Sequence, residues 1–184
     1  EYVEEFIPFY RDVLLGEWGL HYLVGGAHWF PFAGEWVGLY GTEMDAAMLR
    51  AYTEYLVASM RSGLYAFIAH PDLFGVCCMQ WNRHTEEAAS IICRTAAELD
   101  LPLEINAYGY RKPYMESAEG LRPKYPWRPF WQVAAAWNTP VIVNSDAHRP
   151  EDVLACVDTC HELAADVGLC PVDLSDIEQV AVSG

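Results

Sequence analysis

The feature that most constrains this chain is an alternation of short apolar runs with longer segments of helical periodicity. The runs cover residues 20–27, 64–69, 101–106 and 140–144, with a further short run at 180–182. Strand-sized runs separated by helix-sized segments are typical of βαβ units, in which the strands are parallel. The sequence therefore predicts an α/β fold with a parallel sheet or barrel.

The intervening segments carry start and stop signals for helices. Thr42, with Asp45 three residues on, resembles a capping box, and Thr85 and Pro150 mark two further starts. Gly63 is predicted to end the first of these helices. Apolar residues at helical spacing predict the buried faces: Met48, Tyr52, Tyr55, Leu56 and Met60; Ala88, Ile92, Ala96 and Leu99; Phe130, Val133, Ala134 and Trp137; and Val153, Cys156, Val157, Cys160 and Ala164.

Length and composition favour one domain. With 184 residues, 53% of them hydrophobic, the chain is long enough to bury a sizeable core. No internal repeat or linker divides residues 1–184, although 108–127 lacks periodicity and is predicted to be a long functional loop. Residues 1–6 lack an initiator Met and resemble the interior of a helix. This predicts a domain that is truncated at its N-terminus.

Charge and cysteine content argue against several classes of function. The formal net charge is −15, and the 11 Lys and Arg residues form no basic run, which disfavours a nucleic-acid partner. No stretch is long and apolar enough to span a membrane. The 6 cysteines form no CxxC zinc pattern and are interpreted as reduced, structural thiols of a cytoplasmic protein. The expected partner is therefore a small molecule.

Polar side chains follow the apolar runs at the positions where parallel strands are expected to end. His28 follows the first run, His70 follows the second, Asn106 ends the third, and Asp146 and His148 follow the fourth. Because the carboxyl ends of parallel strands face one active site, these side chains are expected to converge. Imidazole and carboxylate suit Zn, Fe and Mn, and a bound metal lowers the pKa of its water to roughly 7. The sequence therefore predicts a hydrolytic metal site.

Each of these residues also has a simpler structural interpretation. A single histidine after a strand is commonly a hydrogen-bonded structural residue, and residues 70–72 could form a turn capped by Asp72. Asp146 could cap a helix near Pro150, and Glu104 could pair with an arginine. The recurrence of polar residues at successive strand ends favours the site. Three further histidines lack this context and are predicted to be structural or exposed: His21, His84 and His161.

Four segments of the chain, taken in order, form a recognisable set of motifs. They are Val24-Gly25-Gly26-Ala27-His28; His70-Pro71-Asp72; Leu103-Glu104-Ile105-Asn106 through Gly109-Tyr110-Arg111-Lys112 to Tyr125-Pro126; and Asn144-Ser145-Asp146-Ala147-His148-Arg149-Pro150. This set resembles the motifs of the histidinol-phosphate phosphatases, which belong to the polymerase and histidinol phosphatase superfamily. The family more often has Ser where Gly26 stands, and the resemblance runs from about Leu20 to Val153.

The resemblance implies a distorted (β/α)7 barrel, similar to a TIM barrel, whose site holds two or three divalent metal ions. The metal is expected to be Zn, Fe or Mn. By this resemblance His28 and His70 bind one metal, Asp146 binds a second and His148 binds a third. Asp146 and His148 are then also the expected catalytic residues.

The resemblance further implies hydrolysis of a small phosphomonoester, most directly histidinol phosphate in histidine biosynthesis. Arg111 is expected to hold the substrate phosphate, with help from Asn106. The family's opening His-x-His motif, two further histidines and a bridging glutamate are absent, and all are expected upstream of residue 1. The alternatives are a non-catalytic or incomplete metal-binding domain of this type, and a phosphodiesterase of the superfamily, which the net charge of −15 disfavours.

Overall fold

The computed structural model describes residues 1–173, which form a mixed α/β architecture. The predicted strand at 180–182 lies outside the described residues. The strands are β1 (Val24–Gly25), β2 (Trp29–Phe32), β3 (Glu35–Gly38), β4 (Phe67–Ile68), β5 (Leu103–Asn106), β6 (Met115–Ser117), β7 (Gly120–Arg122) and β8 (Val141–Asn144). The α-helices are α1 (Ala46–Arg61), α2 (Arg83–Glu98), α3 (Arg128–Ala136) and α4 (Val157–Val167). Shorter helical turns lie at Glu4–Phe6, Leu73–Cys77, Ala107–Arg111 and Pro150–Asp152, and a π-helical segment lies at Phe9–Glu17.

A parallel sheet with the strand order β1-β4-β5-β8 forms the centre of the structure. Gly25 lies opposite Ile68, Ile68 opposite Leu103, and Asn106 opposite Asn144, so all four carboxyl ends point the same way. The predicted α/β class and parallel sheet are therefore confirmed, although each strand is shorter than its apolar run. Within residues 1–173 this sheet does not close into a barrel. The seven-stranded barrel stays a prediction.

The core forms where the helices cover the sheet. Helix α1 packs on α2, and α2 packs on α3. Tyr52 and Leu56 of α1 and Ile92 of α2 are almost fully buried, as the helical periodicity predicted. Leu99 is 44% exposed, so its predicted place in the buried stripe is wrong, because α2 has already ended at Glu98. No helix in this part of the chain combines the length and apolarity needed to cross a membrane.

The N-caps of α1 and α2 are not the residues that the sequence predicted. Asp45 is the N-cap of α1, and its carboxylate accepts two backbone N–H groups of the first turn. The Thr42 hydroxyl instead donates to a carbonyl of the preceding strand. Asn82 is the N-cap of α2, and Thr85 closes a capping box with it from inside the helix. The predicted starts were thus three residues away from the true caps.

The helix predicted to start at Pro150 is interrupted. Pro150–Asp152 forms a short 3-10 turn, and Cys156 then adopts a left-handed conformation with φ of 61°, after which α4 begins. Val153 is 58% exposed, so the predicted buried face is correct only from α4 onward. The residues between the end of β8 and α4 are therefore a loop with one turn, not a helix.

The segment predicted as a long loop, 108–127, has more structure than expected. It contains most of the turn Ala107–Arg111 and the antiparallel hairpin of β6 and β7. The guanidinium of Arg122 is largely buried, donates to the carbonyls of Gly75 and Cys78, and lies 4.0 Å from the Trp127 ring centroid. The hairpin is therefore held firmly against the turn that follows β4.

Candidate active site

The candidate site lies at the edge of the sheet where the parallel strands end. His28 follows β1 and His70 follows β4, while Asn106 is the last residue of β5 and Asp146 follows β8. His70 and Asp146 both have positive φ, 33° and 48°, which non-glycine residues rarely adopt. The chain thus bends sharply at two of the predicted site residues. His28, His70, Asn106 and Asp146 therefore all lie at this edge of the sheet.

The two histidines that follow β1 and β4 lie in contact. The ring centroids of His28 and His70 are 4.6 Å apart in an edge-to-face arrangement. His70 is 5% exposed, and its Nδ1 has no hydrogen-bond partner among residues 1–173. Burial and the neighbouring charge of His28 lower the pKa of His70 to about 4, while the charge of Asp146 opposes that shift. His70 is therefore neutral at physiological pH, as a metal ligand must be.

A carboxylate that the sequence analysis did not single out lies beside His28. The Oε1 atom of Glu1 is 2.9 Å from the Nδ1 of His28 and accepts the backbone N–H of His28 at 2.9 Å. Burial raises the pKa of Glu1, but the hydrogen bonds from His28 outweigh it and leave that pKa lowered. Because a carboxylate only accepts, Nδ1 of His28 donates this hydrogen bond, and Nε2 carries the lone pair when the ring is neutral. Ligand histidines in metal sites are commonly oriented in this way.

No local pattern could have identified Glu1. It stands 27 residues before His28 and follows no apolar run. Tyr55, on the buried face of α1, also donates its hydroxyl to Oε2 of Glu1 at 3.2 Å. The contact therefore depends on how the first residues pack against α1 and β1.

Glu104 connects the ends of three strands. Its Oε2 accepts the backbone N–H of His70 at 3.1 Å and the Nδ2 of Asn106 at 2.7 Å, and its Oε1 accepts the Nδ2 of Asn144 at 3.1 Å. The side chain is almost fully buried, and burial raises its pKa to about 7 although these hydrogen bonds oppose the shift. The alternative that Glu104 pairs with an arginine is wrong for the described chain, because its partners there are amides.

Asp146 and His148 lie together beyond β8. The Nδ2 of Asn106 donates to Oδ2 of Asp146 at 3.1 Å, and Nδ1 of His148 lies 2.9 Å from the backbone carbonyl of Asp146. A carbonyl only accepts, so Nδ1 of His148 donates this hydrogen bond, and Nε2 carries the lone pair when the ring is neutral. His148 also stacks on Tyr108, with centroids 4.2 Å apart. The interpretation of Asp146 as a helix cap is wrong, because the turn Pro150–Asp152 receives no side-chain cap.

Arg111 binds the backbone of the segment that carries Asp146. Its Nη2 donates to the carbonyls of Ser145 at 2.7 Å and Asp146 at 3.0 Å, and its Nη1 donates to that of Ala155 at 2.9 Å. Its Nε lies 3.9 Å from Oδ2 of Asp152. Both hydrogens of Nη2 are therefore used. A bidentate phosphate contact through Nη2, as expected from the resemblance, requires these bonds to break.

Lys112 lies among three tyrosines at the same edge. Its Nζ donates to the Tyr40 hydroxyl at 3.1 Å and lies 4.5 Å and 5.8 Å from the ring centroids of Tyr108 and Tyr125. The Tyr125 ring is in turn 5.9 Å from the ring of His70. Cation–π contacts of this kind hold an ammonium near aromatic rings without neutralising its charge. Lys112 is thus a cation with unused N–H donors close to the histidines.

Other polar candidates lie away from this edge or serve packing. Asp72 is fully buried, and its Oδ2 accepts the Nε1 of Trp131 at 3.1 Å and the backbone N–H of Trp127. Burial raises the pKa of Asp72 to about 6, while these hydrogen bonds oppose the shift. Asp72 does not cap the following turn through its side chain. The three remaining histidines are exposed, as predicted: His21, His84 and His161.

The donor chemistry of the site fits a divalent metal ion, although the ligands are not gathered into a closed set. Within residues 1–173, no three His, Cys, Asp or Glu side chains lie close enough together to form a ready-made metal site. The neutral His70 nevertheless has an unpartnered nitrogen, and His28 has a lone pair oriented by Glu1. Nitrogen and carboxylate donors of this kind suit Zn, Fe and Mn.

Comparison with known proteins found a distant similarity in sequence. No protein-family model matches the chain. The chain is similar to a protein of Deinococcus radiodurans named "probable histidinol-phosphatase", with 29% identity over 149 residues. The match covers 77% of this chain and 53% of that protein, so the chain spans about half the length of its relative.

Proposed function

We propose that this protein is a metal-dependent hydrolase of small phosphomonoesters, with histidinol phosphate as the first candidate substrate. The observation that carries the proposal is the contact between His28 and the neutral, buried His70 at the strand ends, beside the carboxylate of Glu1. Asp146 and His148 lie beyond β8 at the same edge. The similarity to the Deinococcus protein supports the reaction class and suggests the substrate.

Some residues of this chain would bind the metal, and others would act on the phosphoryl group of the substrate. Bound divalent cations supply an acidic water and polarise a phosphoryl oxygen. His28 and His70 offer ring nitrogens to one cation, while Asp146 and His148 offer ligands on the facing segment. Glu1 orients His28 through the hydrogen bond to its Nδ1.

The substrate anion is proposed to approach past Lys112. The N–H donors of Arg111 are largely occupied by backbone carbonyls, whereas the Nζ of Lys112 has one hydrogen bond, to the hydroxyl of Tyr40. Tyr108 contacts both Lys112 and His148, so its ring connects this cation to the segment that carries Asp146. Arg111 then acts by fixing the segment that carries Asp146.

An incomplete, non-catalytic metal-binding domain is the second candidate. It is favoured by the lack of a three-ligand group within the described residues. A phosphodiesterase acting on nucleic acid is disfavoured by the net charge of −15. Measured hydrolysis of phosphomonoesters and of a phosphodiester distinguishes the monoesterase, the non-catalytic domain and the phosphodiesterase.

The test is to load the purified protein with Mn²⁺, Zn²⁺ or Fe²⁺ and measure hydrolysis of p-nitrophenyl phosphate, histidinol phosphate and bis-p-nitrophenyl phosphate. We expect metal-dependent hydrolysis of the monoesters and little of the diester. Asp146→Asn should abolish it, whereas His161→Gln, which changes an exposed histidine, should not. Metal binding without any turnover would support the non-catalytic alternative instead.

A chain extended upstream in the gene provides the second comparison. The donors expected upstream would complete the ligand sets, so the extended chain should bind more metal and turn over faster than residues 1–184 alone. Metal content by elemental analysis and hydrolysis of p-nitrophenyl phosphate would be measured for both. Equal loading and equal turnover would mean that the residues of this chain suffice.

A further inference from the structure

We infer that Glu104 is a positioning residue, which fixes the candidate ligands by joining the ends of β4, β5 and β8 through one buried carboxylate. The inference rests on the proposed function for its catalytic consequence, but the positioning itself is a property of the metal-free protein. Glu104 belongs to β5, and its carboxylate reaches His70 on one side and Asn144 on the other. One side chain thus bridges both neighbouring strands.

All three partners of Glu104 are hydrogen-bond donors. Oε2 accepts from the backbone N–H of His70 and from Nδ2 of Asn106, and Oε1 accepts from Nδ2 of Asn144. His70 has a positive φ of 33°, so its backbone needs a partner that holds this unusual conformation. The carboxylate is that partner, and it sets the direction in which the His70 side chain leaves the backbone.

Asn106 connects Glu104 to Asp146 through the hydrogen bonds of its side-chain amide. One hydrogen of its Nδ2 goes to Glu104 at 2.7 Å and the other to Oδ2 of Asp146 at 3.1 Å, while its Oδ1 accepts the backbone N–H of Tyr108 at 2.9 Å. Every hydrogen of this amide group is therefore used, and the amide cannot rotate without losing these bonds. Oδ2 of Asp146 is held in turn, while its Oδ1 lies 3.7 Å from Nδ1 of His148.

Glu104 does not act as a stabilising ion pair. Among residues 1–173, no Lys or Arg lies within salt-bridge distance of its carboxylate. A buried carboxylate without a basic partner is costly to keep in a fold. Its place between His70 and Asn106, at the edge that holds the candidate ligands, gives a functional reason for that cost.

The test compares Glu104→Leu with Glu104→Gln. Leu removes every acceptor while keeping the position filled. Gln keeps an acceptor for His70 and Asn106, and its Nε2 can donate to Asn144 once that amide turns round. Gln should therefore preserve the positioning that Leu destroys. Ile105→Ala, which opens a cavity at a fully buried position beside the network, is the matched control for lost stability.

The first measurement is hydrogen exchange of the His70 amide in the metal-free protein. The amide of Leu103, which donates to the Pro140 carbonyl at 3.0 Å, serves as the internal reference. Relative to this reference, His70 should exchange at least about tenfold faster in Glu104→Leu and near the native rate in Glu104→Gln. If His70 keeps its relative protection in Glu104→Leu, or loses it equally in Ile105→Ala, Glu104 does not position this segment.

The second measurement is Mn²⁺ affinity with Mn²⁺-dependent hydrolysis of p-nitrophenyl phosphate. Glu104→Leu should weaken Mn²⁺ binding about tenfold or more and lower kcat with little change in KM, and Glu104→Gln should recover most of both. Equal losses in the Gln and Leu variants would assign the effect to charge and overturn the positioning role. If the native protein binds no Mn²⁺, the proposed function fails, while the exchange of the His70 amide still decides the role of Glu104.

Discussion

Replacing Arg111 with Met tests whether this side chain anchors a loop or binds the substrate. The change removes three hydrogen bonds to the carbonyls of Ser145, Asp146 and Ala155. The side chain is 14% exposed, so water cannot fully replace it. Hydrogen bonds from a charged group contribute about 1.5–3 kcal/mol each, and because bonds from one side chain are not additive we expect a total loss of about 3 kcal/mol.

Thermal unfolding followed by circular dichroism measures that loss. For a chain of this size, about 3 kcal/mol corresponds to a fall in Tm of about 6–12 °C. Arg111→Lys should fall between the native protein and Arg111→Met, since one ammonium cannot occupy the places of both Nη1 and Nη2. Arg149→Met is the matched control, because Arg149 is exposed on the same segment and its loss should leave Tm unchanged.

Kinetics then distinguish the two roles. If Arg111 anchors the segment, Arg111→Met displaces Asp146, so kcat and metal affinity fall while KM for p-nitrophenyl phosphate changes little. A phosphate-binding role predicts the opposite, a raised KM with an unchanged Tm. That second pattern would refute the anchoring argument and restore the role implied by the family resemblance.

Three further predictions concern packing, charge and thiol exposure. Gly109→Ala should lower Tm by more than about 5 °C and reduce turnover, because a Cβ there would lie 1.8 Å from the backbone oxygen of Tyr125. Such a clash costs about 3 kcal/mol or more. An unchanged Tm would contradict that close approach. Lys112→Met should raise KM for p-nitrophenyl phosphate with kcat and Tm nearly unchanged, and an unchanged KM would remove Lys112 from the substrate path. Native protein should react first with a thiol reagent at the exposed Cys170, and Cys170→Ser should remove the fast phase; the buried thiols should react slowly, since burial raises the pKa of Cys77 to about 12 and that of Cys78 to about 11.

The positions of the candidate site residues were predictable because they follow local signals. An apolar run marks a strand, and the polar residue after it marks the strand end, so His28, His70 and Asp146 could be placed at one edge from the sequence. Their assigned roles in metal binding stay predictions. Helix starts were less predictable, because Thr42 and Asp45 are both good caps. The competing carbonyl of Gly38, which takes the Thr42 hydroxyl, decides between them in the folded chain.

The roles of Glu1, Glu104 and Arg111 were not predictable from spacing. Each depends on partners far away in sequence: Glu1 on His28, Glu104 on His70 and Arg111 on carbonyls beyond β8. Residue type suggested an arginine partner for Glu104, and the family resemblance implied a phosphate partner for Arg111. In the fold, Glu104 instead accepts hydrogen bonds from backbone and side-chain amides, and Arg111 donates to backbone carbonyls. Both sets of bonds form because buried peptide groups must also find hydrogen-bond partners.

The balance of charge at the site predicts that metal binding precedes phosphate binding. Three carboxylates, those of Glu1, Glu104 and Asp146, lie around the histidines, and the Arg111 guanidinium is held by carbonyls. In a protein of net charge −15 this edge attracts cations and repels a phosphate dianion. A bound cation reverses the local sign.

Inorganic phosphate, titrated by calorimetry, should therefore bind weakly to the metal-free protein and at least about tenfold more tightly after Mn²⁺ is added. Thermodynamic linkage then requires that phosphate tighten Mn²⁺ binding by the same factor. Asp146→Asn should reduce this coupling, since it removes one of the carboxylates proposed to hold the cation. Phosphate binding of equal strength with and without Mn²⁺ would show that the side chains alone form the anion site. Lys112 would then be the first residue to examine, because its ammonium lies at the same edge and, among residues 1–173, donates to the hydroxyl of Tyr40 with further N–H donors unused.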